Sequence, residues 1–343
     1  MAANPIEQPE AWTIPGAHLV APGVHRIPLP LPLNGLSAVN AYLLEGPDGL
    51  VMVDPGWVSP ANERAIATAL SDLGHRLDDV RVCLATHHHW DHYTQAFAWR
   101  ESLRAQLLIG ENERHSINGF DGTIRFPKHP TLLARCGAEE LAERIRADDV
   151  PEYEVRTPYG PPDGWLEDGD RIRLHHGELE TIATPGHTRG HVVYAHSTAG
   201  LLFAGDHVLP TITPSLGFEI APEATPLRSY ISSLKLLLDR PDMVLLPAHG
   251  PVRASTHGRV REILDHHRER LDEVTELLAT GATNAYEVAR RLPWTRHRRQ
   301  LDNLQLEHQM SAVMEIEAHL DLLAHIGRAE LDETPRAKRY RAA

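Results

Sequence analysis

Residues 81–88 form an apolar run, RVCLATHH, that leads straight into Thr86-His87-His88-His89-Trp90-Asp91-His92. This string constrains the fold more than any other stretch. Alternate residues of an extended segment point to the same side. His87, His89 and Asp91 are therefore expected to face one cavity, and His92 to join them as the chain turns into a helix. His88 falls on the opposite face. Imidazole and carboxylate at this short spacing suit zinc or a related divalent ion. A bare His-x-His pair is common in surface loops, whereas the full His-x-His-x-Asp-His string at a strand end is far more specific. The chain carries 23 histidines, and histidine is the commonest metal ligand, so their placement decides the reading.

Three more polar residues stand at the ends of other apolar runs. His187 lies in Thr184-Pro185-Gly186-His187-Thr188-Arg189-Gly190-His191, Asp206 in Leu202-Phe203-Ala204-Gly205-Asp206-His207, and His249 in Leu245-Leu246-Pro247-Ala248-His249-Gly250. Side chains delivered from several strand ends converge at one sheet edge on rigid supports. The glycine beside each lets the backbone bend close to an ion.

The first two thirds of the chain alternate strands and helices. Strands are expected at 36–46, 49–56, 81–88, 106–110, 170–174, 179–184, 191–196, 201–205 and 243–250. Helices are expected at 60–74, 92–105 and 226–240. This α/β alternation argues for helices outside two sheets. Residues 111–168 show weak periodicity and one short helix near 138–147, and read as an insertion or lid. From about residue 257 the pattern becomes helical: 257–281, 284–294 behind an Asn cap, and 302–327. The last residues, TPRAKRYRAA, read as disordered.

Charge and composition narrow the class. The formal net charge is −13, yet residues 255–343 hold 14 basic and 15 acidic residues, so the acidity sits in the first two thirds. An acidic face does not attract polyanions, which disfavours nucleic acid there without excluding it. No run of 18 apolar residues exists, which speaks against a membrane-spanning helix. The opening MAANPIEQPEAW lacks the basic and apolar regions of a leader. Two cysteines, Cys83 and Cys136, are too few for a disulfide framework. Together these features point to the cytoplasm.

On Asp54, the His87–His92 string, His187, Asp206 and His249, the chain resembles the metallo-β-lactamase fold superfamily over about residues 23–254. That resemblance implies an αββα four-layer sandwich for residues 1–254, with 111–168 as the insertion. It implies that His87, His89 and His187 hold a first metal, that Asp91, His92 and His249 hold a second, and that Asp206 bridges them. Asp54 would support the site without binding metal. Residues 255–330 are similar to the helical, winged-helix-like domain of the lactamase-beta-2-like hydrolases, which leaves 331–343 as a flexible tail. The cofactors implied are two divalent ions, Zn2+ first, with Mn2+ or Fe2+ compatible. A hydroxide bridging them would attack a small acyl substrate, a thioester or lactone, with Asp91 as the catalytic carboxylate. His89 stands where iron-dependent flavoprotein relatives carry Glu, which argues against a redox role.

His191 and His207 are candidates to touch substrate or to orient ligands by their second nitrogen, Arg189 and Tyr230 are candidate substrate contacts, and Trp57 and Trp90 candidate pocket walls. Arg290, Arg291, Arg296, His297, Arg298 and Arg299 form a basic stretch, so an endoribonuclease or other phosphodiesterase is one alternative. A β-lactamase-like amide hydrolase is another. The long C-terminal helices are compatible with a homodimer.

Overall fold

A computed structural model describes residues 11–343 apart from 32–35, 121, 123 and 296. Residues 1–10, on which the expectation of no leader rests, and Arg296 of the basic stretch therefore lie outside the described residues.

Seven strands form the first sheet: β1 (His18–Ala21), β2 (Val24–Pro30), β3 (Ala38–Gly46), β4 (Gly49–Val53), β5 (Val80–Ala85), β6 (Gln106–Gly110) and β7 (Gly164–Leu166), in that spatial order. β1 to β4 pair antiparallel and β4 to β7 parallel. The second sheet is built from β8 (Arg171–Arg173), β9 (Glu178–Ala183), β10 (Val192–His196), β11 (Leu201–Gly205) and β12 (Val244–Pro247), in the order β12-β11-β10-β9-β8.

The layers follow from side-chain alternation. Along β3, Val39, Ala41 and Leu43 join one apolar cluster with Ile66 and Leu70 of helix Pro60–Asp72 and Tyr93 and Trp99 of helix Trp90–Ser102. Tyr42 and Leu44 point the other way, into a cluster with Leu179, Tyr194, Phe203 and Leu246 of the second sheet. Along β11, Leu201 and Phe203 face that shared interior. Leu202 and Ala204 pack outward with Leu227 and Leu234 of helix Pro226–Leu238. Both faces of each sheet are covered, which explains why β3 and β11 read as nearly continuous apolar runs. The result is the four-layer αββα arrangement.

The chain after residue 254 forms helices Thr256–Ala279, Ala285–Arg291 and Leu306–His325. Their Val260, Val288, Val313 and Leu320 belong to the same cluster that covers the second sheet. The tail departs from expectation. Residues 331–343 are not a loose extension: β13 (Ala329–Glu333) and β14 (Lys338–Ala342) form an antiparallel hairpin. Tyr340 is buried and donates from its hydroxyl to Asp321 at 2.6 Å, and Lys338 Nζ pairs with the same carboxylate at 2.8 Å.

The segment 111–168 is likewise more structured than its periodicity implies. It holds helices His129–Arg135 and Glu139–Arg146, and it returns β7 to the first sheet. Leu133, Leu141 and Ile145 sink into the cluster shared with the C-terminal helices. Within the basic stretch, Arg290 pairs with Asp302 at 3.6 Å and lies over the Tyr286 ring. Among the described residues, no helix is long and apolar enough to cross a membrane.

Candidate metal centre

Five strands end at one edge. β4 and β5 run parallel, as do β11 and β12. β9 is antiparallel to β10, which is antiparallel to β11, so β9 also points their way. Asp54, His87, His187, Asp206 and His249 follow the carboxyl ends of these strands, where open α/β sheets bind ligands. Polar clamps tie the two sheets together there. Asn40 Nδ2 donates to the carbonyls of Pro247 and Gly250, both at 2.9 Å. Tyr194 donates from its hydroxyl to Ala85 O at 2.8 Å.

The histidine string is not presented as strand alternation. β5 stops at Ala85, residues 86–89 bend, and the helix begins at Trp90. Asp91 and His92 thus sit in the first helical turn, where the helix dipole favours a carboxylate. Asp54 anchors the bend. Its backbone is left-handed, φ 50°, a conformation that Asp tolerates better than most residues. Its carboxylate accepts from Thr86 N at 2.8 Å and Thr86 Oγ1 at 2.9 Å, and lies 3.0 Å from His92 Nδ1.

Gly205 closes the opposite side. Its φ is +50°, and a Cβ there would stand 2.5 Å from Thr86 Oγ1 and 2.8 Å from His191 Nε2. Gly205→Ala is therefore expected to lose at least ~2 kcal/mol of stability, through strain and overpacking. Chemical denaturation measures it, and an unchanged midpoint would refute the close approach.

Around a first point, His87 Nε2 lies 3.0 Å from His89 Nδ1, which lies 3.1 Å from His187 Nε2. The outer contacts set the protons. His187 Nδ1 donates to Ser215 O at 2.6 Å, so its Nε2 carries a lone pair. Thr86 Oγ1 donates to Asp54 and is left to accept from His87 Nδ1 at 3.1 Å, so His87 Nε2 also carries a lone pair. Two lone pairs converge on a His89 nitrogen that holds at most one hydrogen. A cation satisfies all three, and a tetrahedral ion with ligands at about 2.0–2.1 Å has ligand edges of about 3.3 Å.

Around a second point, His249 Nδ1 donates to Ala38 O at 2.7 Å, which leaves Nε2 to face Asp91 Oδ2 at 3.3 Å and Asp206 Oδ1 at 3.4 Å. His92 Nε2 faces Asp91 Oδ1 at 3.6 Å and Asp206 Oδ1 at 3.8 Å. Two carboxylates crowd two imidazoles here, and Asp206 Oδ1, His92 Nε2 and His249 Nε2 are buried without a hydrogen bond. Asp206 Oδ2 lies 3.6 Å from His187 Nε2, so this carboxylate reaches both clusters.

Electrostatics agree. Burial opposes charge on His92, but Asp91, Asp54 and Asp206 outweigh it and raise its pKa to about 10. Burial pushes Asp91 up, yet His92 and His249 hold its carboxyl well below the usual range. Burial and the neighbouring rings keep His87 and His89 well below theirs, hence neutral and ligand-ready. The cavity favours added positive charge, and the donor set fits two divalent ions. The ligand atoms group as His87, His89 and His187, as His87, His92 and Asp206, and as Asp91, His92 and His249.

The remaining site expectations fare differently. His191 is fully buried behind the cluster: Nδ1 meets Thr184 Oγ1 at 2.9 Å, and Nε2 accepts from Asp206 N at 3.3 Å. Through that contact it positions Asp206. His207 and Tyr230 are also fully buried, with Tyr230 donating to His207 O at 2.9 Å, so neither is open to a substrate. Arg189 is partly exposed and donates its backbone N–H to Glu219 at 2.8 Å. Trp57 and Trp90 pack edge to face at 5.4 Å, and Trp57 lines a cleft of about 900 Å³ with Val58, Pro60 and Gln95.

Sequence reasoning missed one network. His88 is buried, with Nδ1 3.1 Å from the Tyr159 hydroxyl and Nε2 3.7 and 3.9 Å from Glu219 and Glu113. Glu113 accepts from Thr188, and Glu219 from Ser116, Ala221 N and Arg189 N, so the network pins the loop that carries His187.

Residues 34–249 match the sequence pattern of the Metallo-beta-lactamase superfamily. The chain belongs to the metallo-beta-lactamase superfamily. A metallo-beta-lactamase family protein of Thermus thermophilus has the same fold, with a TM-score of 0.73 and 27% identity over 95% of this chain and 100% of that one. A beta-lactamase domain protein of Burkholderia ambifaria matches with a TM-score of 0.74 and 26% identity, over 96% and 97% of the two chains. Among curated relatives, a protein described as a probable metallo-hydrolase of Bacillus subtilis (strain 168) is 24% identical over 78% of this chain and 83% of its own length. A hydroxyacylglutathione hydrolase of Thermosynechococcus vestitus is 31% identical over 51% of this chain and 50% of its own. This metallo-beta-lactamase superfamily member is a metal-dependent hydrolase, and its superfamily typically binds two divalent ions.

Proposed function

We propose that the protein hydrolyses a small acyl substrate, a thioester first and a lactone second. His87, His89 and His187 would hold one divalent cation, Asp91, His92 and His249 a second, and Asp206 would touch both. When bound, such a pair supplies Lewis-acid activation of water and of the scissile carbonyl. The chain's own residues do the rest. Thr86, itself donating to Asp54, fixes the tautomer of His87, and Asp54 lies against His92 Nδ1 at 3.0 Å. Ser215 O and Ala38 O do the same for His187 and His249, the outer contact that orients ligand histidines. Asp91 keeps part of its surface exposed, so its carboxylate can accept a hydrogen bond from a water and orient it.

The observation that carries this reading is the pair of lone-pair clusters joined through Asp206, for which no hydroxyl or thiol nucleophile is needed. The thioester preference draws on the relatives named for hydroxyacylglutathione, itself an acyl thioester. Trp90, next to Asp91 in the chain and packed edge to face on Trp57, would offer apolar surface to an acyl chain.

The test is turnover of a panel of acyl thioesters, lactones, β-lactams and RNA. The protein is assayed as purified, after chelator treatment, and after zinc or manganese is returned. Thioester cleavage is expected to vanish with the chelator and return with the metal. RNA or β-lactam turned over most efficiently would contradict the substrate class, and salt-sensitive RNA binding would mark a nuclease.

A further inference from the structure

A second cluster of ligand-type side chains lies between the two long C-terminal helices. His267 projects from helix Thr256–Ala279. Glu315 and His319 lie one turn apart on helix Leu306–His325, and so share a face. One ligand atom from each lies within 4.8 Å of the other two. His267 and His319 are buried, while Glu315 is partly exposed. The Tyr230 ring packs against His207 at 5.1 Å and His267 at 5.6 Å.

The protons can again be placed. His319 Nδ1 donates to Glu315 O at 2.7 Å, so its Nε2 carries a lone pair. That lone pair faces His267 Nδ1 at 3.3 Å. If His267 carries its hydrogen on Nδ1, the two rings hydrogen-bond and His267 Nε2 becomes a buried acceptor with no donor. If the hydrogen is on Nε2, two lone pairs oppose each other beside the Glu315 carboxyl. The first arrangement leaves that carboxyl with little: Leu216 N reaches it only at 3.4 Å. Burial raises its pKa to about 7, against the Leu216 N–H and the positive charge of Arg270, which also faces His267 and His319. The second arrangement is a ready three-point cation site. The 3.3 Å separation equals the edge of about 3.3 Å expected between two imidazole nitrogens on a tetrahedral ion.

We propose that His267, Glu315 and His319 bind a divalent cation of the zinc type, at a site separate from the hydrolytic centre. Two imidazoles and one carboxylate suit zinc and its neighbours over calcium or magnesium. Three protein ligands leave one tetrahedral position for water. The ion would join two helices through residues 52 positions apart in sequence and stabilise the folded chain in proportion to the logarithm of free metal.

The experiment uses the full chain, stripped with chelator and then titrated with zinc in equilibrium dialysis, with bound metal read by elemental analysis. Wild type is compared with Glu315→Gln and His319→Gln. Wild type is expected to bind one equivalent more than either variant, whatever its total. The variants are expected to keep hydrolytic activity and to lose the part of the zinc-induced rise in Tm that wild type shows at the highest zinc concentrations. Should His319→Gln fail to fold, the isosteric Glu315→Gln and a zinc-edge anomalous map of wild type decide the matter, with a peak expected between His267 Nδ1 and His319 Nε2. Equal zinc uptake by wild type and folded variants, or no peak there at saturating zinc, would overturn the proposal.

Discussion

Asp206→Asn is expected to lower kcat/KM by roughly 10³-fold, about 4 kcal/mol of transition-state stabilisation, and to release metal from both clusters. The reason lies in its position. Its two oxygens reach His92 and His249 on one side and His187 on the other, at 3.4 to 3.8 Å. Asparagine keeps the shape but removes a charge. It also turns an N–H donor toward imidazole lone pairs that would otherwise await a cation, so it satisfies them without one. The metal-free variant should be no more stable than metal-free wild type, because His92 and His249 lose a carboxylate that favours their charged forms. Elemental analysis, steady-state kinetics and thermal melts separate these effects. A variant that keeps its full metal complement and near-normal activity would remove Asp206 from the centre.

Asp54→Ala acts through the fold instead. Breaking a buried, multiply bonded carboxylate costs about 3–5 kcal/mol when its partners are left behind. Here the orphans are Thr86 N, Thr86 Oγ1 and His92 Nδ1. Alanine at φ 50° adds backbone strain. Metal affinity should drop about 10–100-fold as well, as expected when the partner that orients a ligand histidine is lost. Urea titration of the metal-free protein and competition with a chromogenic chelator give the two numbers. A loss below about 1 kcal/mol would mean that the bend at 86–89 does not depend on Asp54.

The legible parts of this molecule share one property: their signals are local. Apolar runs ending in Asp54, His87, Asp206 and His249 mark strands and their functional ends within a few residues. The hairpin β13–β14 has no such signal. Its strands are mostly charged, and their order comes from Tyr340 and Lys338 reaching Asp321 on another element. β2 contains two prolines, which mask it as a strand in the sequence, yet it pairs along its whole length with β3.

The same limit holds at the site. Adjacency to a ligand motif leaves His191 and His207 open to substrate contact or to ligand orientation, because it does not reveal which side of the backbone a ring occupies. His191 is turned inward by Thr184, and Tyr230 by its bond to His207 O. Glu219 meets Ser116 across 103 positions and reaches His88 from the same distant loop, a separation that leaves no trace in spacing. Strand alternation brought His87 and His89 together for the wrong reason, since a bend and a helix start place them.

The central claim is that His87, His89, Asp91, His92, His187, Asp206 and His249 form one centre for two cations. Anomalous diffraction at the zinc edge from a zinc-loaded crystal tests it most directly. Two peaks about 3.5–4 Å apart are expected, one among His87, His89 and His187 and one among Asp91, His92 and His249, with Asp206 between them. A single peak elsewhere, or none at saturating zinc, would contradict the account.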